Sequence, residues 1–376
     1  MLNLFSKIIF SIKKPKVIII TGKSYETAGE AVFRFLDHFS LPILCMKKNA
    51  QRKCVGLNLF FKNKILLIES DLSEINDLKW IVKKSSLPMV LATNIGEIPS
   101  DRDFFASDIE ETKSLRELAE SIPSFGYLIL NFDDETVREI KNISNVHSIT
   151  FGFQNSADFK AGDVVLTEFP SLGTNFKLNY QGNMIPIWLK GLFGKEQIYA
   201  ALGAFAVGGL LDFNSIKVSE ALKSYSSVPG KMRLIKGIKN SLILDDCKSS
   251  TALSMIEAIE ILGKIPVEGR KIAVLGDVIG IGKYTIEAHE TIGEKVAGNA
   301  DLLFTFGLRA KFIAQGALKK GMGFEKIFQF DTIEQGKLEL QNKIKKGDII
   351  LIDGSAEMDM NKIVEEIYLQ EKGPIV

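Results

Sequence analysis

Cysteine and histidine are both scarce, with three of each in 376 residues. Cys45, Cys54 and Cys247 are too few and too scattered for a disulfide framework or a Cys-rich zinc site. That usage fits a reducing compartment, and a cytoplasmic location is expected. His38, His147 and His289 offer no pair at ligand spacing on one helix, which argues against a structural or catalytic zinc. An excess of either charge is missing too. Forty-seven Lys and Arg against 46 Asp and Glu leave a formal charge of +1, so no global field draws in nucleic acid or an anionic membrane. Any anion site has to be local. No stretch approaches the roughly 20 apolar residues of a spanning helix, and the chain reads as soluble. Only its start is ambiguous. Leu2, Leu4, Phe5, Ile8, Ile9, Phe10 and Ile12 precede Lys13, Lys14 and Lys16. A secretory signal would carry its charge before the apolar run and a small-residue cleavage site after it, and neither is clear. A helix over residues 1–15, packed on the first domain, is expected; peripheral membrane contact is the alternative reading.

What is present is the material of a globular chain: 46% apolar and 25% charged residues, at a length that favours two or three domains. Lys16–Thr21, Lys64–Glu69, Pro88–Thr93 and Gly126–Asn131 are continuous apolar runs, the mark of strands buried on both faces. Helical patterns over Glu30–His38 and Asp108–Ser121 separate them, which makes a βαβ series. From Ser148 to Tyr180 shorter strands with turn residues suggest an antiparallel flap or subdomain, before helices return at Glu196–Leu211 and Ser215–Ser224. The breaker-rich stretch Ser226–Lys231 places a hinge. Beyond it, Ser241–Asp245, Lys271–Leu275, Leu302–Phe306 and Asp348–Asp353 read as a second set of buried strands, with a helix from about Thr251 to Leu262. The expectation is α/β throughout: residues 1–15 an apolar helix, 16–230 a first domain and 231–376 a second.

In open parallel sheets ligands bind at the carboxyl ends of strands, so the loops there carry the information. The first is Thr21-Gly22-Lys23-Ser24-Tyr25-Glu26-Thr27. A phosphate loop needs bare backbone N–H groups, a lysine on the terminal phosphates and a hydroxyl on Mg²⁺. Thr27 supplies the hydroxyl, but Tyr25-Glu26 stands where Gly-Lys belongs, and Lys23 lies before the turn. An anion in place of a cation beside a triphosphate changes the contact by about 4 kcal/mol per unit charge at an effective dielectric near 20. Nucleotide binding and an ordinary strand-to-helix connection both remain open on these residues. Glu69, with Ser70 and Asp71 after it, is placed either to hold Mg²⁺ or to be a solvated strand end. Asp245-Asp246 and Asp277 face the same choice at the ends of strands in the second half.

The second half resembles the C-terminal domain of the Mur ligases, most nearly the branch that joins D-alanyl-D-alanine to a UDP-linked muramoyl tripeptide. The likeness is carried by Pro229-Gly230-Lys231-Met232-Arg233, Leu242–Asp246 and Gly269–Asp277, and continues through Gly282, Tyr284, Glu287-Ala288-His289, Ala300–Leu303, Gly347–Ile350, Gly354-Ser355 and Met358. The first half is similar to the family's central ATPase domain in Thr21-Gly22, Glu69, Thr93–Gly96, Asn131–Asp134, Thr150–Gly152 and Tyr199–Leu202. The resemblance covers about residues 16–370, with no counterpart expected for the family's separate N-terminal domain. It implies a P-loop-type parallel-sheet domain followed by a Rossmann-like α/β domain, and ATP-dependent amide ligation with Mg²⁺ on a small-molecule or UDP-linked peptide substrate. By position, Thr27 and Glu69 would meet the metal; Gly22, Lys23, Thr27, Asn131, Asp134 and Asp277 the nucleotide; and Arg233, Asp245 and Asp246 would be catalytic.

Departures from the family pattern accumulate. Besides Tyr25-Glu26, Pro99 replaces a histidine, and Leu115 falls where the family carbamylates a lysine, with Lys113 nearby. Glu196-Gln197 replaces His-Asn; Cys247-Lys248-Ser249 replaces a stretch with Tyr-Asn; and Asp353–Glu357 replaces a more basic loop. The stretch Cys45–Lys64 is shortened. Each loss removes a cation, a metal ligand or a nucleotide contact, and a positioned phosphate cation is worth several kcal/mol in such machinery. A weakened ligase is expected, the alternative being a pseudo-ligase that binds or regulates without turnover, with a possible protein partner.

Overall fold

The computed structural model describes residues 4–46, 65–95, 106–142, 146–168, 170–248 and 251–369. Cys54, Gly96, Pro99, Ser249 and most of the shortened stretch lie outside them. The chain forms two compact units. One comprises Met1–Val164, Asn175–Leu189 and Lys195–Ser226; the other comprises Val165–Thr174, Lys190–Gly194 and Ser227–Val376.

In chain order the first half runs α1 (Leu4–Lys13), β1 (Lys16–Thr21), α2 (Tyr25–His38), β2 (Ile43–Met46), β3 (Ile65–Glu69), α3 (Ile75–Lys84), β4 (Leu87–Ala92), α4 (Ala106–Ser121), β5 (Tyr127–Asn131) and α5 (Glu135–Ile140). Then come β6 (His147–Gly152), β7 (Phe159–Thr167), β8 (Gly173–Tyr180), β9 (Asn183–Lys190), α6 (Lys195–Leu210) and α7 (Ser215–Leu222). The strands form one sheet in the order β2-β3-β1-β4-β5-β6-β7-β8-β9. From β2 to β7 every pairing is parallel. The strands expected to form an antiparallel flap or subdomain join the main sheet, where Phe151 and Gly152 of β6 pair with Phe159 and Lys160 of β7. Ile18, Ile19 and Ile20 of β1 are wholly buried, as the unbroken apolar run requires. Phe10 of α1 is buried against Trp80, so the apolar face of the first helix belongs to the core of this unit. Helix α6 packs along α2.

The second half runs β10 (Arg233–Lys236), β11 (Leu242–Asp246), α8 (Ala252–Lys264), β12 (Lys271–Gly276), α9 (Thr285–Val296), β13 (Leu302–Phe306), α10 (Lys311–Lys319), β14 (Ile327–Phe330), α11 (Ile333–Lys343), β15 (Ile349–Asp353) and α12 (Asn361–Ile367). Its sheet has the order β10-β11-β15-β12-β13-β14, with only β10 antiparallel. Alternation splits the core in two. Leu244, Ala273, Leu275 and Leu351 face α8 and α9, while Ile243, Val274, Ile350 and Ile352 join Phe304 and Ile363 on the other side. The last strand to form in sequence, β15, sits in the middle, which brings Asp353 beside Asp246.

Candidate functional site

In the first unit the turn after β1 is held by the turn after β4. Gly22 has φ +96°, and a Cβ there would stand 2.4 Å from Thr93 Oγ1, so both the backbone angle and the space require glycine. Thr93 Oγ1 donates to Thr21 O (2.9 Å) and accepts from the Ser24 N–H (3.3 Å), while the Lys23 N–H donates to Asn94 O (2.6 Å). Two N–H groups that a phosphate loop would offer outward are thus already taken by protein acceptors. Lys23 and Glu26 are exposed, and Glu26 lies in the first turn of α2, where the helix end favours anions.

Thr27 is completely buried, and its hydroxyl donates to Glu196 Oε1 at the start of α6. The same helix turn is fastened again by Tyr225, whose hydroxyl donates to Gln197 Oε1 (2.7 Å) and contacts Thr27 O (3.3 Å). Glu69 is buried at the end of β3 and lies over Gly29, two residues on from Thr27; a Cβ on Gly29 would meet Glu69 Oε1 at 2.5 Å. Thr27, Glu196 and Glu69 therefore put a hydroxyl and two carboxylates around the first turns of α2, hard oxygen donors of the kind that suit Mg²⁺.

Asn131 and Asp134 have structural partners. Asn131 Oδ1 accepts from the Asp133 N–H (3.1 Å). Asp134 caps α5, its Oδ1 accepting from the Val137 N–H (2.9 Å), and its Oδ2 accepts from the Ile95 N–H (2.9 Å), which ties the β4 turn to the β5 turn. Asp133, not singled out from sequence for a role of its own, makes the wider set of contacts. It accepts from the Phe153 and Gln154 N–H groups (2.7 and 3.1 Å) and from the Tyr199 hydroxyl (2.9 Å). Leu115 is buried in the core, and its side chain offers no metal ligand.

In the second unit Asp245, Asp246 and Arg233 come together. Asp245 Oδ2 accepts from the Gly230 N–H (2.9 Å) and from Arg233 Nε (3.1 Å), and Asp246 Oδ1 accepts from the Met232 N–H (3.1 Å). The two aspartates clasp the chain that enters this half. Burial and the neighbouring Asp245 push the Cys247 thiol well up, so it stays protonated. Asp277 Oδ1 accepts from the Arg309 and Ala310 N–H groups (3.0 and 2.7 Å), fixing the turn before α10. His289 is buried, its Nε2 accepting from the Val278 N–H (3.1 Å), and burial pulls its pKa down. Asp353 differs from all of these. It is wholly buried, and neither carboxylate oxygen has a hydrogen-bond partner among the described residues. Asp353 was not singled out from sequence; the signal that could have found it is that LILDD, VLGD and LID are three buried-type runs that each lead into an aspartate.

Residues 48–208 match the family model of the Mur ligase middle domain, and residues 230–356 that of the Mur ligase glutamate ligase domain. The chain belongs to the Mur ligase family. Among curated Mur ligases, the UDP-N-acetylmuramoyl-tripeptide--D-alanyl-D-alanine ligase of Bacillus subtilis is 26% identical over 364 residues, covering 94% of this chain and 72% of that protein. The Escherichia coli protein of the same name is 26% identical over 314 residues, covering 82% of this chain and 65% of that one. Two solved Mur ligases share the fold. MurF from Acinetobacter baumannii has a TM-score of 0.78 at 20% identity, over 96% of this chain and 78% of that one. MurF from Thermotoga maritima, in complex with ADP, has 0.76 at 20% identity, over 96% and 81%.

Proposed function

We propose that this Mur ligase is an ATP-dependent amide ligase of the MurF kind, working in the cytoplasm on a UDP-linked peptide of peptidoglycan precursor synthesis, with a weakened phosphoryl-transfer centre. The names of the Bacillus subtilis and Escherichia coli relatives support the substrate class. The observation that supports the reading is the Thr27–Glu196 hydrogen bond, with Glu69 packed over Gly29 on the same helix. When bound, ATP supplies the phosphoryl group that turns a carboxylate into an acyl phosphate open to an amine, and Mg²⁺ neutralises the moving charge. Thr27, Glu196 and Glu69 would hold the cation. Thr93 and Asn94 set the turn of Gly22 to Ser24, and Asp134 and Asp133 fix the neighbouring turns. Asp245 orients Arg233 by accepting from its Nε. The loop fits a triphosphate poorly, because the Lys23 and Ser24 N–H groups are engaged and Glu26 repels it.

That engagement also favours a second reading, a pseudo-ligase that binds or regulates, in partnership with another protein, without turnover. Titration with Mg·ATP, followed by phosphate release in the presence of D-alanyl-D-alanine and a UDP-linked tripeptide, separates the two. Saturable binding with slow phosphate release is expected. Absence of binding at millimolar nucleotide would overturn the ligase reading in favour of the second. Combining Tyr25→Gly with Glu26→Lys should raise ATP affinity by at least about tenfold, since 1.4 kcal/mol suffices for that factor. Unchanged affinity would show that the turn is no phosphate cradle.

A further inference from the structure

Helices α1 and α3 run side by side in the first unit at a constant offset of 70 residues. Lys7 Nζ donates to Asp77 Oδ1 (3.1 Å), the rings of Phe10 and Trp80 stand 5.4 Å apart, and Pro15 O accepts from the Ser85 hydroxyl (2.8 Å) and the Ser86 N–H (3.3 Å). The two helices are therefore parallel and end together where β1 and β4 begin. Five exposed lysines gather at that end: Lys13 closing α1, Lys14 and Lys16 after it, and Lys83 and Lys84 in the last turn of α3. The negative end of each helix dipole favours Lys13, Lys83 and Lys84. It gives no reason for Lys14 and Lys16, which lie beyond the helix. No Asp or Glu precedes Glu26 in the sequence, and Asp77 is engaged by Lys7. Glu120, in the last turn of α4, is an exposed carboxylate at the same end. Large apolar side chains stand among these cations. Ile8 and Ile12, one turn apart on α1, are 53% and 73% exposed although Ile9 and Phe10 between them are buried. Phe125 is 51% exposed on the same rim: Lys16 pairs with Leu87 and Met89 with Tyr127, so Phe125 stands level with Leu87 at the start of β4.

We propose that this rim, formed by α1, the end of α3 and the turn before β5, docks on the surface of an anionic lipid bilayer. Apolar tips beside lysines match the bilayer interface, where the tips enter the headgroup layer while long lysine stems carry their ammonium groups out to the phosphates. A single-stranded nucleic acid would call instead for a row of aromatic faces on which bases stack. The near-neutral net charge does not oppose this, because the five lysines act locally within a Debye length of the lipid. The candidate site of this unit lies at the opposite, carboxyl ends of β1, β3 and β4, about 17 Å away along a strand of six residues, so docking leaves it open. The inference does not depend on the ligase reading. Attachment is reversible, since each lysine near an anionic leaflet strengthens binding only about fivefold.

Flotation of the full chain with unilamellar vesicles tests the proposal. In about 50 mM NaCl the chain should bind vesicles of phosphatidylglycerol and phosphatidylcholine in equal parts but not phosphatidylcholine alone, and about 300 mM NaCl should weaken the binding by screening. Lys13→Gln, Lys14→Gln, Lys83→Gln and Lys84→Gln combined remove four charges and should lower the affinity by about a hundredfold or more. Ile12→Asn, at a side chain already in water, should lower it several-fold while the urea midpoint stays unchanged. Phe125→Trp should add an emission that shifts to the blue on phosphatidylglycerol vesicles, which reports that this rim is the face that meets the lipid. Equal binding to both kinds of vesicle, or binding to neither, would overturn the proposal. Undiminished binding by the four-lysine variant, or an unshifted emission from Phe125→Trp on bound vesicles, would do the same. Binding to polyuridylate in place of vesicles would make the rim a nucleic-acid surface and equally overturn it.

Discussion

At the scale of single residues, two carboxylates, Glu196 and Asp353, lend themselves to direct tests. Glu196 accepts from the buried Thr27 hydroxyl of the first strand–helix turn. Glu196→Gln keeps an acceptor for Thr27 but removes a charge. On the proposed donor set, Mg²⁺ affinity measured by calorimetry should fall by about tenfold or more, and an unchanged affinity would take Glu196 out of that set. Asp353 controls stability in a pH-dependent way. In the folded chain its carboxyl keeps a proton up to about pH 8, whereas the unfolded chain releases it near the ordinary value of 3.8. Between those values the folded state binds more protons, so the stabilisation is complete below about pH 4 and lost as pH climbs to about 8. The natural protein should lose stability relative to Asp353→Asn across that window, read as urea midpoints at a series of pH values. Parallel curves would mean that the carboxyl is ionised throughout.

At the scale of elements, one capping residue does the work of two. Helix α5 has only six residues, too few to persist unaided, and Asp134 both caps it and grips the Ile95 N–H after β4. Asp134→Ala removes both bonds and should cost about 2 kcal/mol by urea unfolding, the cap supplying about half. Asp134→Asn keeps an acceptor for the cap and should cost less; equal losses would assign the effect to charge. The elements themselves were largely legible in the sequence, because a strand covered on both faces is apolar through its middle, and β1, β3, β4, β5, β11, β12, β13 and β15 all are, with polar residues mainly at their ends. Strand β2 was not, since four residues of partial burial at a sheet edge leave no distinctive pattern. The strands between Ser148 and Tyr180 were legible but their pairing partners were not, because alternation reports which face is buried and is silent about which neighbour is paired, and β9 was not read at all. The candidate site was legible in its residue types and not in its partners. Nothing in the order of residues tells that Thr27 meets Glu196, 169 positions away, or that Asp134 is a cap while Asp133 reaches Tyr199.

At the scale of the whole molecule, the second unit is not a continuous piece of chain. Residues 165–174 and 190–194 belong to it although they precede Ser226. Within that unit the Leu234 N–H donates to Gly191 O (2.7 Å) and the Phe193 N–H to Met232 O (3.2 Å), so the returning segment pairs beside β10. Phe193 and Leu172 are buried in the same cluster as Leu244 and Met255. A fragment cut at Ser227 would expose Leu234 and Met232 and lose those side chains, each worth about 2 kcal/mol of burial, together with two backbone bonds. Residues 227–376 made alone should therefore unfold at clearly lower urea than the same residues in the full chain, where hydrogen exchange of amides in β11 and β15 reports on this unit. Restoring residues 165–194 ahead of the fragment through a flexible linker should recover most of the difference. Equal midpoints for the short fragment and the full chain would show that the returning segment rests on the second sheet without holding it together.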